Sequence, residues 1–269
     1  MSNLKVYKAM TIAGSDTSGG AGMEADLKTF EENKVYGTCA LTCIVAQHPE
    51  DWFHEIIPLD IVTIEKQLNT ILGAIGCDAM KTGMLGSADL VELVARTIDK
   101  YELKNVVIDP VMVCKGIDAI MVTEAAAAIK DLLIKRADLM TPNLLEAAYL
   151  SDMEAIKNID DMKEAASIIV ERGAKYVAMK AGDRFGGDKA IDLLYDGKDF
   201  KIFEAPLIKD AYNHGAGCTF SASMTANLAK GKTISEAMEN TQAFMQKALG
   251  GSFAISKFGG ATRHWAHRE

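Results

Sequence analysis

The residues of this 269-residue chain best suited to chemistry lie in one late stretch, Asn213-His214-Gly215-Ala216-Gly217-Cys218-Thr219-Phe220. Two of them lack a Cβ, so the backbone can fold tightly and aim successive N–H groups at an anion. The small, helix-compatible run from Cys218 to Ala229 follows. It predicts a helix whose first turn carries unpaired amides and the positive end of the dipole. A turn of that kind binds phosphate. Cys218 falls within it, where a helix N-terminus favours the thiolate over a free thiol of pKa about 8.5. One segment therefore offers an anion cradle and a candidate base. The plainer reading is a packing turn with a small buried cysteine.

Other polar clusters follow apolar runs that read as strands. Ala9 to Ala13 ends in the glycine-rich stretch from Gly14 to Gly22, and a helix from about Ala21 to Glu32 carries Asp26. Asp26 reads either as a site carboxylate or as a solvent-side charge favoured by the helix dipole. Thr38 to Ala46 runs into the polar and aromatic loop from Gln47 to His54. Ala79 to Thr82 ends in Gly83-Met84, and Val106 to Ile108 ends in Asp109-Pro110. The segment from Val111 to Gly116 holds Cys114 and Lys115 and reads as a surface loop or a lid. In Thr141-Pro142-Asn143 with Glu146, Thr141 suits a helix cap and Pro142 the first helical position.

Helices are expected from Ile61 to about Ile75, from Ser87 to about Lys100, over Thr123 to Lys135 and Asp160 to Arg172, and from Ile234 to Ala254. Tyr176 to Lys180 is a strand. Ala190 to Tyr195 and Phe200 to Glu204 flank Asp196-Gly197, a hairpin turn signal. Alternating strands and helices predict an α/β fold: a doubly wound, mostly parallel sheet with helices on both faces. Ligand groups then belong at the strands' carboxyl ends. The C-terminal residues 263–269 read as polar and frayed.

Composition narrows the function. The chain is 49% hydrophobic and 25% charged, ample for one sizeable core and read as one domain over 1–269. A formal net charge of -8 argues against a nucleic-acid or anionic-membrane surface. Five scattered cysteines without C-x-x-C or His/Cys ligand spacing suggest neither a disulfide framework nor zinc. No apolar run reaches 18 residues, so the expectation is an intracellular, cytoplasmic protein in a reducing compartment.

Taken in order, the segments resemble the vitamin-kinase branch of the ribokinase-like superfamily, the hydroxymethylpyrimidine (phosphate) kinases and related pyridoxal kinases. The match runs over nearly the full length. It is carried by Thr11-Ile12-Ala13-Gly14-Ser15-Asp16 with Gly19-Gly20-Ala21-Gly22, by Ala25 to Thr29, and by Lys81-Thr82-Gly83-Met84-Leu85. Asp109-Pro110-Val111-Met112, Thr141-Pro142-Asn143 with Glu146, and His214 to Thr219 complete it.

The resemblance implies ATP-dependent phosphorylation of a hydroxymethyl group on a heteroaromatic ring, with Mg²⁺, in a homodimer. It implies that Cys218 stands where most of the superfamily has an aspartate base, with Gly215, Ala216 and Gly217 as the anion hole. Gly14, Ser15, Asp26, Gln47, Met84, Val111, Cys114 and His214 match the substrate pocket, under a lid near 111–118. Asn143, Lys180, Gly182, Asp188 and Gly217 match the nucleotide side, and Asp109 and Glu146 the magnesium end. Trp52 and Cys114 tilt the reading toward a pyridine vitamer, pyridoxal or pyridoxine, with the hydroxymethylpyrimidine as alternative. A Cys218/His214 thiol hydrolase and a non-catalytic vitamin- or nucleotide-binding protein are the rival classes.

Overall fold

A computed structural model describes residues 5–112 and 123–269. The expected lid from Val113 onward, with Cys114 and Lys115, lies outside the described residues. The apolar strands line up side by side in one sheet. They are β1 (Lys8–Asp16), β2 (Tyr36–Gln47), β3 (His54–Pro58), β4 (Ala79–Thr82), β5 (Val106–Ile108), β6 (Leu139–Met140), β7 (Tyr176–Gly182), β8 (Lys189–Tyr195) and β9 (Phe200–Pro206). Their order is β3-β2-β1-β4-β5-β6-β7-β8-β9, parallel from β2 to β7 and antiparallel at both edges. The chain leaves β1 toward one edge and returns at β4 to build the other, which puts the topological switch point between these two strands.

Helices cover both faces. On one lie α1 (Gly22–Glu32), α7 (Ala216–Ala229) and α8 (Ile234–Gly250), packed around Phe30, Ala222, Met224 and Met238. On the other lie α2 (Ile61–Thr70), α3 (Ala88–Lys100), α4 (Thr123–Ala128), α5 (Leu144–Ser151) and α6 (Ile159–Glu171), over Ile64, Leu68, Val94, Leu133 and Ile169. The central strands β4 to β6 are buried on both sides, as their continuous apolar runs require. Among the described residues no helix is long and apolar enough to cross a membrane.

Several expectations are corrected. Helix α5 starts later than Thr141-Pro142 suggested. Asn143 is its cap, accepting from the Glu146 amide, while the Glu146 carboxylate accepts from the Asn143 amide. Thr141 still belongs to the sheet, since its amide donates to Ile108. Helix α2 ends in a π turn at Ile71–Ile75, and α4 runs into a π turn and then a 3₁₀ turn at Ile134–Arg136. Helix α8 stops at Gly250. The residues beyond form a small hairpin, β10 (Phe253–Ser256) with β11 (Gly259–Ala261). The tail is not frayed: a 3₁₀ turn at His264–Arg268 ties to α1 through Arg268 and Glu32.

One contact between α1 and the sheet sets the floor of the site. Asp26 is fully buried, which rules out a solvent-side charge. It accepts from Lys81 Nζ at 2.8 and 2.9 Å and from Thr11 Oγ1 at 2.6 Å. Burial opposes the Lys81 ammonium, but Asp26 outweighs that, with Cys218 and Asp109 adding to it, and keeps Lys81 charged. Lys81→Met leaves an unpaired buried carboxylate, which costs about 3–5 kcal/mol. We expect a large fall in the urea midpoint for Lys81→Met and recovery of much of it in an Asp26→Leu/Lys81→Met double variant. Equal loss in both would show that the pair itself is not the source of the effect.

Candidate active site

The loops after β1, β4, β5, β6 and β7 open onto one cavity of about 490 Å³ at the sheet's carboxyl ends. Its depth comes from two backbone approaches that only glycine allows. Gly215 has φ +78°, and a Cβ there would sit 1.8 Å from the Gly20 carbonyl. Gly22 has φ +58°, and a Cβ there would sit 2.4 Å from the Gly14 carbonyl. The loop after β1 and the loop before α7 therefore interlock at main-chain distance.

Gly215 caps α7, and Ala216 opens it. The Ala216 amide is engaged by the Asn213 carbonyl at 3.0 Å, so Ala216 spaces the turn rather than offering a donor. The amides of Gly217 and Cys218 then head the helix. Lys180 faces them from β7, since a Cβ on Gly217 would lie 3.8 Å from its ammonium. Cys218 lines the cavity and is half-buried. Its thiol differs from the expectation. Burial, with Asp26 and Asp109 adding to it, pushes the thiol up to about 12 against the pull of Lys81 and a Gly22 backbone hydrogen bond. The helix end does not outweigh lost solvation next to two carboxylates.

One end of the cavity is acidic. Asp109, 3% exposed, accepts from Ser221 Oγ at 2.9 Å, Lys180 Nζ at 3.1 Å and Thr141 Oγ1 at 3.3 Å, and lies 4.0 Å from Lys81 Nζ. Glu146 is also buried. Desolvation lifts its carboxyl to about 7, with Asp109 adding to the rise and Lys180 opposing it. Asn143, Lys180 and Gly182 line this end, but Asp188 does not: it is exposed at the start of β8. Asp192, four residues on, lines the cavity instead and accepts from Gln242 Nε2 at 2.5 Å.

The other end is a polar cluster on β1 and β2. Asp16 accepts from Gln47 Nε2 at 2.7 Å and pairs with His214 Nε2 at 2.6 Å. Burial alone would raise the Asp16 carboxyl, but hydrogen bonds from His214 and Ser18 hold it well below the usual range. His214 thus serves Asp16. The ammonium that faces Cys218 is Lys81. Gly14, Ser15, Met84 and Val111 line the same cavity, as does Asp26 in its floor. Trp52 does not; it stacks on Phe258 at 5.3 Å. His54 lines the cavity too, and its Nε2 is buried without a partner, a polar group left for a ligand.

Sequence reasoning passed over Lys81, His54 and Asp192. The signal for Lys81 was present: a lysine inside a four-residue buried strand must find a carboxylate. His54 and Asp192 gave none, because only the antiparallel pairings of β3 with β2 and of β8 with β7 bring them to the cavity.

A family model described as phosphomethylpyrimidine kinase matches residues 16–263. The chain is 50% identical over 266 residues to a pyridoxine kinase of Bacillus subtilis, covering 98% of each chain. It superposes with TM-score 0.95 on the ADP complex of Bacillus subtilis pyridoxal kinase, at 50% identity and over 98% of this chain and 99% of that one. It matches the pyridoxal kinase of Staphylococcus aureus in complex with AMP-PCP and pyridoxal at TM-score 0.92 and 41% identity, over 98% and 96% of the two chains.

A thiol at about 12 is protonated at neutral pH and ionises only as pH rises toward that value. In the ligand-free protein, iodoacetamide should therefore alkylate Cys218 much more slowly at pH 7.5 than it alkylates free cysteine, read by peptide mass mapping over time. Labelling at the free-cysteine rate would contradict the burial argument.

Proposed function

The chain belongs to the phosphomethylpyrimidine kinase family, and from that premise we propose that it transfers the γ-phosphoryl group of ATP to the 5′-hydroxymethyl group of pyridoxal, pyridoxine and pyridoxamine. One observation carries the reading: a single cavity joins a helix-capping amide turn and a thiol to a cationic and acidic floor on one side and a polar wall on the other. A loose phosphoryl-transfer transition state needs positioning and charge stabilisation more than covalent chemistry.

In this reading the Gly217 and Cys218 amides and the α7 dipole hold the migrating group. Lys180, 3.1 Å from Asp109 and facing Gly217, meets the phosphates. Asn143, Gly182 and Asp192 lie along the nucleotide. To act as base Cys218 must first lose its own proton to solvent; as the thiolate it then takes the acceptor's proton as the bond to phosphorus forms. Lys81 favours the thiolate that this requires. Asp16 with His214, Gln47 and His54 forms the wall against which the ring rests.

The carboxylates fit Mg²⁺. Asp109 and Glu146 offer hard oxygens, and burial makes Glu146 costly to ionise unless a cation is near. Among the described residues no three His, Cys, Asp or Glu side chains gather for a metal. Magnesium commonly binds through one or two carboxylates together with substrate phosphates. When bound it would neutralise charge on the transferring group. We also take the enzyme to be a cytoplasmic homodimer, as the family resemblance implies.

The description of the matching family keeps the hydroxymethylpyrimidine in view as a second acceptor. Steady-state kinetics with ATP should give a kcat/KM for pyridoxine or pyridoxal above that for hydroxymethylpyrimidine, and the reverse order would move the assignment to the pyrimidine. Cys218→Ala should lower kcat by about 10²–10⁴-fold with little change in the vitamer KM. Unchanged kcat would remove the thiol from its role as base.

A further inference from the structure

The C-terminal residues press against the cradle from below. His264 is 2% exposed, and its Nε2 lies 3.0 Å from Thr219 Oγ1 in the first turns of α7. Thr219 Oγ1 in turn donates to the Gly215 carbonyl at 2.8 Å. That bond engages the one hydroxyl proton, which assigns His264 Nε2 as the donor to Thr219; Thr262 Oγ1 lies 3.4 Å from both groups. Burial lowers the His264 imidazole to about 4. The ring is then neutral, with one N–H to place at Nε2.

This chain ends on the peptide that fixes the cradle. The Gly215 carbonyl accepts from both the Thr219 hydroxyl and the Thr219 amide, each at 2.8 Å. The Ala216 amide, on the other side of the same peptide plane, is held by Asn213. Gly215 sits at φ +78° and supplies no side chain to set its own orientation. The plane must be fixed from outside.

The tail is itself anchored. His214 forms a backbone bridge with Ala261. The Arg263 amide donates to Ala248 of α8 at 2.9 Å, and the His267 ring packs at a tilt against Phe244 of the same helix, with ring centroids 5.2 Å apart. Arg268 Nε reaches Glu32 of α1 at 2.6 Å. The tail is therefore rigid enough to position something.

We propose that residues 259–268 brace the phosphate cradle, with His264 as a positioning residue that sets the Gly215–Ala216 peptide through Thr219 and so aims the Gly217 and Cys218 amides. The role rests on the kinase reading above. His264 does not line the cavity and acts through the Thr219 hydroxyl on the backbone.

The test compares His264→Phe, which keeps a ring but has no N–H, with His264→Gln, which restores an amide donor near the Nε2 position. Both are combined with Thr219→Val. Pyridoxine kinetics, AMP-PCP affinity by calorimetry and melting temperature are measured for each variant. His264→Phe should lower kcat about tenfold or more and weaken AMP-PCP, with the pyridoxine KM within about twofold. His264→Gln should recover most of both losses. The His264→Phe/Thr219→Val double variant should be no worse than Thr219→Val alone, because the two residues act in series.

Equal kcat for the Phe and Gln variants, with only the melting temperature moved, overturns the proposal. Additive losses in the double variant overturn it as well. If the wild-type protein phosphorylates no B6 vitamer, the kinase reading fails. AMP-PCP affinity then decides the brace: the order wild type, Gln, Phe upholds it, and equal affinities overturn it.

Discussion

A buried carboxylate, Asp109, ties the working end of this molecule together. It stands at the end of β5 and receives donors from β6, β7 and α7 through Thr141, Lys180 and Ser221, with Lys81 of β4 at 4.0 Å. An unpartnered carboxylate at that depth would cost far more than any one of these bonds contributes. The four elements are therefore held in register by the need to satisfy one charge. Asp26 repeats the device one layer down, bringing α1 against β4 through Lys81. Two carboxylates and an ammonium thus form a shared floor, and Cys218 sits over it.

That floor explains why the thiol departs from the simple expectation. A helix N-terminus acts over a turn and contributes a few tenths to about 2 kcal/mol. Against it stand the lost hydration of a thiolate and repulsion from Asp26 and Asp109, with Lys81 opposing them. The balance favours the thiol. The sequence read for Cys218 saw the helix but not what lay beneath it, since Asp26 and Asp109 are 192 and 109 positions away along the chain.

The same division runs through the whole molecule. The parallel sheet, its helices on both faces and the carboxyl-end site were legible because period and punctuation are local signals: Gly14 after Ala13, Asp109 after Ile108, Gly215 before Ala216. The resemblance gathered Asp109, Glu146, Lys180 and Cys218 correctly into one cavity. What failed was set by tertiary pairing. Asp188 looked right as an acidic residue near the nucleotide edge, but the antiparallel pairing of β7 with β8 carries Asp192 to the cavity, opposite Lys180 in register. The tail looked frayed because its histidines and arginines are polar. Burial against Thr219 and the Glu32 pair are invisible without the fold. Thr141-Pro142 made a plausible helix start, yet Thr141 was already engaged by the sheet.

Interlocked glycines have a consequence for how this site can diverge. A Cβ on Gly215 would meet the Gly20 carbonyl and one on Gly22 the Gly14 carbonyl, so the loop after β1 is tightly folded and packs main chain to main chain on the loop before α7. Changes there would disturb phosphoryl transfer whatever the acceptor. The wall of Asp16, Gln47 and His54 is different. It hangs from the ends of β1 and β2 and from the antiparallel edge strand β3: Gln47 reaches Asp16 side chain to side chain, Asp16 also accepts from the Ser18 and Ala21 amides, and His54 Nε2 has no partner. A substitution at His54 leaves the main-chain lock and the Asp109 floor untouched. If the ring rests on this wall as proposed, discrimination between a pyridine and a pyrimidine ring is tuned at the edge of the sheet while the Asp109 floor at its centre stays fixed.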